Sequence, residues 1–140
     1  MKSQSLILFA LLCLVPLSCN GEGPHESQEV VSTLVRAISD RTLPERKQFY
    51  DDWALGALIF SRVSFIESEG TYEVTVRPDP YEPVREIWGV DMDTGSIWPI
   101  DSAAVLSAIL FFCVDRDDTD IRCKSYFLIT DKIVDALENR

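Results

Sequence analysis

Apolar residues along this chain fall into blocks with different periods. Leu6 to Val15 is an unbroken apolar run without a charge. A polar stretch rich in Gly and Pro follows, Asn20 to Glu26, and reads as a tether. Val30, Val31, Leu34, Val35 and Ile38 then share one stripe of a 3.6-residue helix, which predicts a helix over about 27–40. Thr42-Leu43-Pro44-Glu45 offers a capping box for a second helix, about 43–54, with Leu43, Phe49, Tyr50 and Trp53 on its buried face.

Beyond that point the period changes to 2. Leu58 to Glu67 is rich in β-branched and aromatic residues, Glu69-Gly70 turns, and Thr71 to Arg77 alternates with Tyr72, Val74 and Val76 on one side. Three prolines interrupt at 78–83. Val84 to Val90 resumes as strand, Asp91 to Gly95 forms a hairpin turn, and Ser96 to Ile100 returns. Residues 101–114 read as either helix or strand; the expectation is a short helix over 102–108 running into a strand. An acidic loop over 115–120 leads to a strand at 121–130, and Asp131 caps a last helix whose Ile133, Val134 and Leu137 share a face. The pattern predicts an α+β fold: two N-terminal helices packed on an antiparallel sheet, then a short C-terminal helix, in one domain over 27–140.

The ends assign a compartment. Lys2 precedes an apolar run too short to span a bilayer, and Pro16 and small residues follow it, as in a secretory signal over 1–18. Leu17-Ser18-Cys19-Asn20 resembles the lipobox of bacterial lipoproteins, with Pro16 where that pattern usually has Leu. The resemblance implies lipidation at Cys19, a tether over 19–26, and attachment to the membrane through a lipid anchor only. Cleavage after Gly21 or Gly23, giving a soluble secreted protein, is the competing expectation.

Cysteine use bears on this choice. Of four cysteines, Cys13 leaves with the signal, while Cys113 and Cys123 flank a short polar loop and are expected to pair as a disulfide across a hairpin. Cys19 is then left over, and a lipid supplies its purpose. The formal charge of −10 opposes nucleic-acid binding and electrostatic membrane adhesion.

Several motifs suggest chemistry that their context does not support. Asp93-Thr94-Gly95-Ser96 is similar to the aspartic-protease motif, but the chain has one such loop and no glycine after Gly95 to shield it. Asp91-Met92-Asp93 resembles the start of the haloacid-dehalogenase motif, yet a hairpin is signalled there and Gly95 replaces the Thr or Val at the fifth position. Asp115, Asp117 and Asp120, with Asp118, could gather oxygen ligands for a cation. The loop nevertheless lacks an EF-hand's glycine and distal Glu, so a solvated loop with at most a millimolar-range Ca²⁺ site is expected. His25 is the only histidine and sits in the tether, which leaves carboxylates, Tyr or Lys (Asp51, Asp52, Tyr50, Lys124) for any acid–base work. Trp53, Trp88 and Trp98 are candidate walls of a ligand pocket, with core packing as the competing role.

The order of elements is similar to that of cone-shaped folds of the nuclear-transport-factor-2-like class, and the hairpin from Trp88 to Trp98 is similar to hairpins of secreted PepSY domains. The expected function is a non-enzymatic binding module, exported to the cell envelope or secreted, with no cofactor and with a protein or small ligand as partner. The rival expectation is a cone-fold enzyme using a buried carboxylate, in the manner of isomerases of that class. A deep pocket with one buried carboxylate of raised pKa would favour the enzyme, and exposed apolar surface would favour the module.

Overall fold

The computed structural model of the protein describes residues 23–79 and 81–139; the expected signal over 1–18 and the expected lipidation site Cys19 lie outside them. Helix α1 (Ser27–Arg41) leads through a 3₁₀ turn (Pro44–Arg46) into α2 (Lys47–Phe60). Strands β1 (Arg62–Ile66), β2 (Thr71–Val76), β3 (Glu86–Val90) and β4 (Ile97–Pro99) follow, then helices α3 (Ser102–Phe112) and α4 (Ile121–Glu138). The strands form an antiparallel meander in the order β1-β2-β3-β4. This is the α+β arrangement that the change of period predicts.

Alternation places the sheet's core face. Val63 pairs with Val74, and Val74 with Trp88, so these side chains lie in one row across the sheet; Phe65, Tyr72 and Val90 make a second row. Val30, Leu34 and Ile38 of α1 and Ala104, Ala108 and Phe111 of α3 are buried in the same core. The β1–β2 and β3–β4 turns each need a left-handed residue, supplied by Gly70 (φ +68°) and Gly95 (φ +75°). The expected tether ends against this layer, where the His25 amide donates to the Tyr72 hydroxyl at 2.9 Å.

Three local expectations are corrected. The Thr42 hydroxyl donates to the Ile38 carbonyl at 2.6 Å, so it closes α1 and does not open α2. Helix α2 begins at Lys47 and runs to Phe60; its small residues Ala54, Gly56 and Ala57 face inward, while Phe49, expected to be buried, is 54% exposed. Leu58, Ile59 and Phe60, expected to begin a strand, instead form the last turn of this helix with their side chains exposed.

The third correction concerns the C-terminal third. Residues 109–112 continue α3, and 121–130 belong to the long helix α4, so neither segment is a strand. Burial of Ala104, Val105, Ala108, Phe111 and Phe112 follows a helical period that the apolar run had concealed. Asp101 caps α3 by accepting from the Ala104 amide at 2.9 Å, and Asp120 caps α4 by accepting from the Arg122 amide at 2.8 Å. Asp131, expected to be a cap, lies mid-helix and pairs with Arg116 at 2.6 Å. The Cys113–Cys123 disulfide is present with a Cα separation of 5.8 Å, but it joins the end of α3 to the first turn of α4 and does not cross a hairpin. Past Tyr126, α4 buries no residue.

Candidate functional site

Glu86 opens β3 on the same parity as Trp88 and Val90, which turns its side chain toward the helices. It is 5% exposed. Its Oε1 accepts from Trp53 Nε1 at 3.1 Å and from Trp88 Nε1 at 2.9 Å, and its Oε2 accepts from Ser107 Oγ at 2.7 Å. One carboxylate thus joins α2, β3 and α3. A buried indole N–H without an acceptor is costly, and here one oxygen serves two of them. Burial pushes the Glu86 carboxyl above its ordinary value; the hydrogen bonds from Ser107, Trp88 and Trp53 oppose that shift, and the nearby Asp101 charge adds to it. Around this centre Trp53 packs edge-to-face on Trp88 (6.2 Å between centroids) and on Phe111 (5.7 Å).

Outside this cluster an open cleft of about 250 Å³ runs between α2, α3 and the segment after β2. Phe49, Trp53, Pro78, Leu110 and Phe111 form its apolar walls, with Asp52, Asp79 and Ser107 as the polar lining. Pro78 reaches α2 only because position 56 is glycine: a Cβ there would come within 2.0 Å of the Pro78 carbonyl oxygen. Asp79 is oriented by accepting the Tyr81 amide at 2.9 Å. Beside the cleft, Arg46 donates to the Leu110 and Val114 carbonyls at the C-terminal end of α3, where a cation suits the helix dipole.

The structure brings together two of the three tryptophans that the sequence singles out. Trp53 and Trp88 meet in the core, whereas Trp98 pairs with Gly89 on the opposite sheet face, where its indole occupies the space of the missing Cβ. Among the acidic-loop residues, Asp115 Oδ1 accepts from the Asp117 amide at 2.8 Å, and Asp118 accepts from the amides of Val114 and Asp120, both at 2.9 Å. Backbone donors thus occupy carboxylate oxygens that a cation would need. No group of three or more His, Cys, Asp or Glu side chains is placed to hold a metal among the described residues. Of the proposed acid–base residues, Asp52 lines the cleft and Tyr50 donates to the Val35 carbonyl at 3.2 Å; Asp51 and Lys124 are exposed.

Sequence reasoning overlooked Glu86, although its i, i+2, i+4 spacing with Trp88 and Val90 was readable. Chemically, Ser107 hydrogen-bonds a carboxylate, as an activated hydroxyl does. It sits in the middle of α3, however, where helical bonding uses the backbone amides and leaves none for a developing oxyanion. These features define an α+β domain with an apolar surface cleft backed by a buried, hydrogen-bonded carboxylate. Comparison of the chain with known protein families, with characterised proteins and with solved structures finds no match in any of the three. The resemblances drawn from element order therefore bring no residue roles to this chain.

Proposed function

We propose that this protein is an exported, lipid-anchored, non-enzymatic interaction module of the cell envelope, and that the cleft between α2 and α3 receives a partner. The observation that carries the binding reading is the cleft itself: apolar and open, with Leu110 of its wall one helical turn from exposed Leu106 on α3. Further apolar side chains, among them Ile129, Ile133 and Leu137 of α4, are also exposed. The anchor rests on the sequence, through the leader and Cys19. Among the described residues no helix is long and apolar enough to cross a membrane.

A second reading, an enzyme using a buried carboxylate, draws on Glu86, whose raised pKa is the kind of perturbation that acid–base sites show. Against it, both Glu86 oxygens accept from protein donors, and Trp53 and Ser107, not Glu86, line the cleft.

Two measurements test the proposal. Intact-mass analysis of the protein recovered from cells expressing the full chain should show a lipid-bearing Cys19 at the N-terminus, and Cys19→Ala should leave unprocessed precursor. An unmodified N-terminus beyond residue 19 overturns the anchor. Peptides selected from a random heptapeptide display library should shift the amide resonances of Phe49, Trp53 and Leu110; selected peptides that leave these unmoved overturn the binding role of the cleft.

A further inference from the structure

We infer that the occupant of the cleft is a basic segment of a partner polypeptide, with a large apolar side chain in the cleft and a neighbouring Arg or Lys at Asp52 and Asp79. This rests on the binding reading above and adds the chemistry of the ligand.

Size selects a side chain over a whole small molecule. At about 250 Å³ and open to solvent, the cleft is smaller than the roughly 300–1,000 Å³ of sites that enclose small ligands. It suits one anchoring residue, the usual unit of recognition in protein interfaces. Phe49, Trp53, Leu110 and Phe111 provide the apolar contact for that anchor. Leu106 and Leu110, spaced i, i+4 on α3 and both exposed, extend the apolar surface beyond it, and exposed Val114 follows just past the end of the helix. A short segment of chain therefore has a track to follow.

Charge selects the flanking residue. Asp52 and Asp79 are the two ionisable side chains lining the cleft, and both are acidic. Neither takes part in a salt bridge among the described residues. The nearby cation Arg46 is engaged by the two carbonyls at the end of α3. A chain of net charge −10 adds a field that draws cationic segments and repels acidic ones. An Arg or Lys beside the anchor places its charge between carboxylates while its methylene stem covers apolar wall.

The test selects heptapeptides on the protein produced from its full chain, in parallel with an Asp52→Asn/Asp79→Asn variant. The two amides keep the size of the acids, and the side-chain carbonyl that remains at position 79 can still accept the Tyr81 amide, so the variant retains the fold. The expected result is enrichment of Arg or Lys next to Leu, Ile, Phe or Trp. Those peptides should shift Phe49 and Leu110 resonances and lose about tenfold in affinity on the variant, and they should weaken as salt rises. Peptides that bind at the cleft without a basic residue, or that bind the variant equally well, overturn this inference and leave the binding reading standing. Failure to select any peptide, or selection only of peptides that bind elsewhere, overturns both.

Discussion

The indole nitrogen of Trp53 lies 3.1 Å from Oε1 of Glu86, and this hydrogen bond ties the helical layer to the sheet inside the core. Trp88 donates to the same oxygen at 2.9 Å, so one buried acceptor satisfies donors from two elements that are distant in sequence. A carboxylate in this position is costly to bury and costly to remove, since its loss leaves three donors without a partner.

Replacing Glu86 by Leu should therefore destabilise the fold by about 3 kcal/mol or more, taking roughly 1–3 kcal/mol for each donor left unsatisfied. Glu86→Gln keeps an acceptor for the two indoles and should cost clearly less. Urea unfolding of both variants checks this; a Leu variant as stable as the parent would show that the three hydrogen bonds contribute nothing net.

Stability should also depend on pH through this residue. Burial raises the Glu86 carboxyl above 4.5, so between the unfolded and folded values the folded protein binds more protons. Its contribution is present in full below about pH 4.5 and is lost as pH rises through the folded value. Asp118 and Asp120 behave oppositely: the amides of Asp120 and Val114 hold the first below 3.8, and the amide and side chain of Arg122 hold the second below it. Their contributions are present above about pH 3.8 and are lost as pH falls through the folded values. Unfolding midpoints measured from pH 3 to 8 should show that Glu86→Gln flattens the decline above about pH 4.5 and leaves the acid limb unchanged. An identical decline in parent and variant would remove Glu86 as its cause.

The Cys113–Cys123 bond closes a loop of sequence separation 10, for which the chain-entropy account gives roughly 2–3 kcal/mol of stabilisation. A Cys113→Ser/Cys123→Ser variant should lose about that much. Because α4 buries only Cys123 and Tyr126, its amides should also exchange faster with solvent than those of α1. Hydrogen exchange on the variant reads both; unchanged protection in α4 would show that packing alone holds the helix.

Gly56→Ala sets helix propensity against a backbone collision. Alanine favours the helix by about 1 kcal/mol over glycine, but its Cβ would lie 2.0 Å from the Pro78 carbonyl oxygen, an atom with no flexible end to move. Overpacking of this kind costs about 1–3 kcal/mol, so the net effect should be a lower Tm. The Asp79 resonances should shift as the cleft wall is displaced. A raised Tm with unchanged Asp79 signals would refute the close approach.

The parts of this fold that local periodicity controls were legible from the residues. Val30 to Ile38 repeat at helical spacing with polar residues between them, and Tyr72, Val74 and Val76 alternate across a half-buried strand; Asp91 to Gly95 carries the residues a tight turn requires. Cys113 and Cys123 were recognisable as partners because ten positions keep them close in nearly any compact arrangement, and they remain bonded although both neighbouring segments differ from expectation.

Tertiary structure decided what local pattern leaves degenerate. The apolar run 109–114 suits a strand or a buried helix equally, and 121–130 reads as a strand, yet burial of Phe111, Phe112, Cys123 and Tyr126 at helical spacing accompanies the helices that form. Glu86 and its donors lie 33, 2 and 21 positions apart in sequence, so no local signal marks the cluster. The same holds for the cleft, where Asp52 and Asp79 come together only through the contact of Pro78 with Gly56. By itself the sequence determined which residues can form a helix, a strand or a turn, because these depend on neighbours a few positions away. Which of them share a buried oxygen or face one another across a cleft depends on how the layers pack, and only the folded chain decides that.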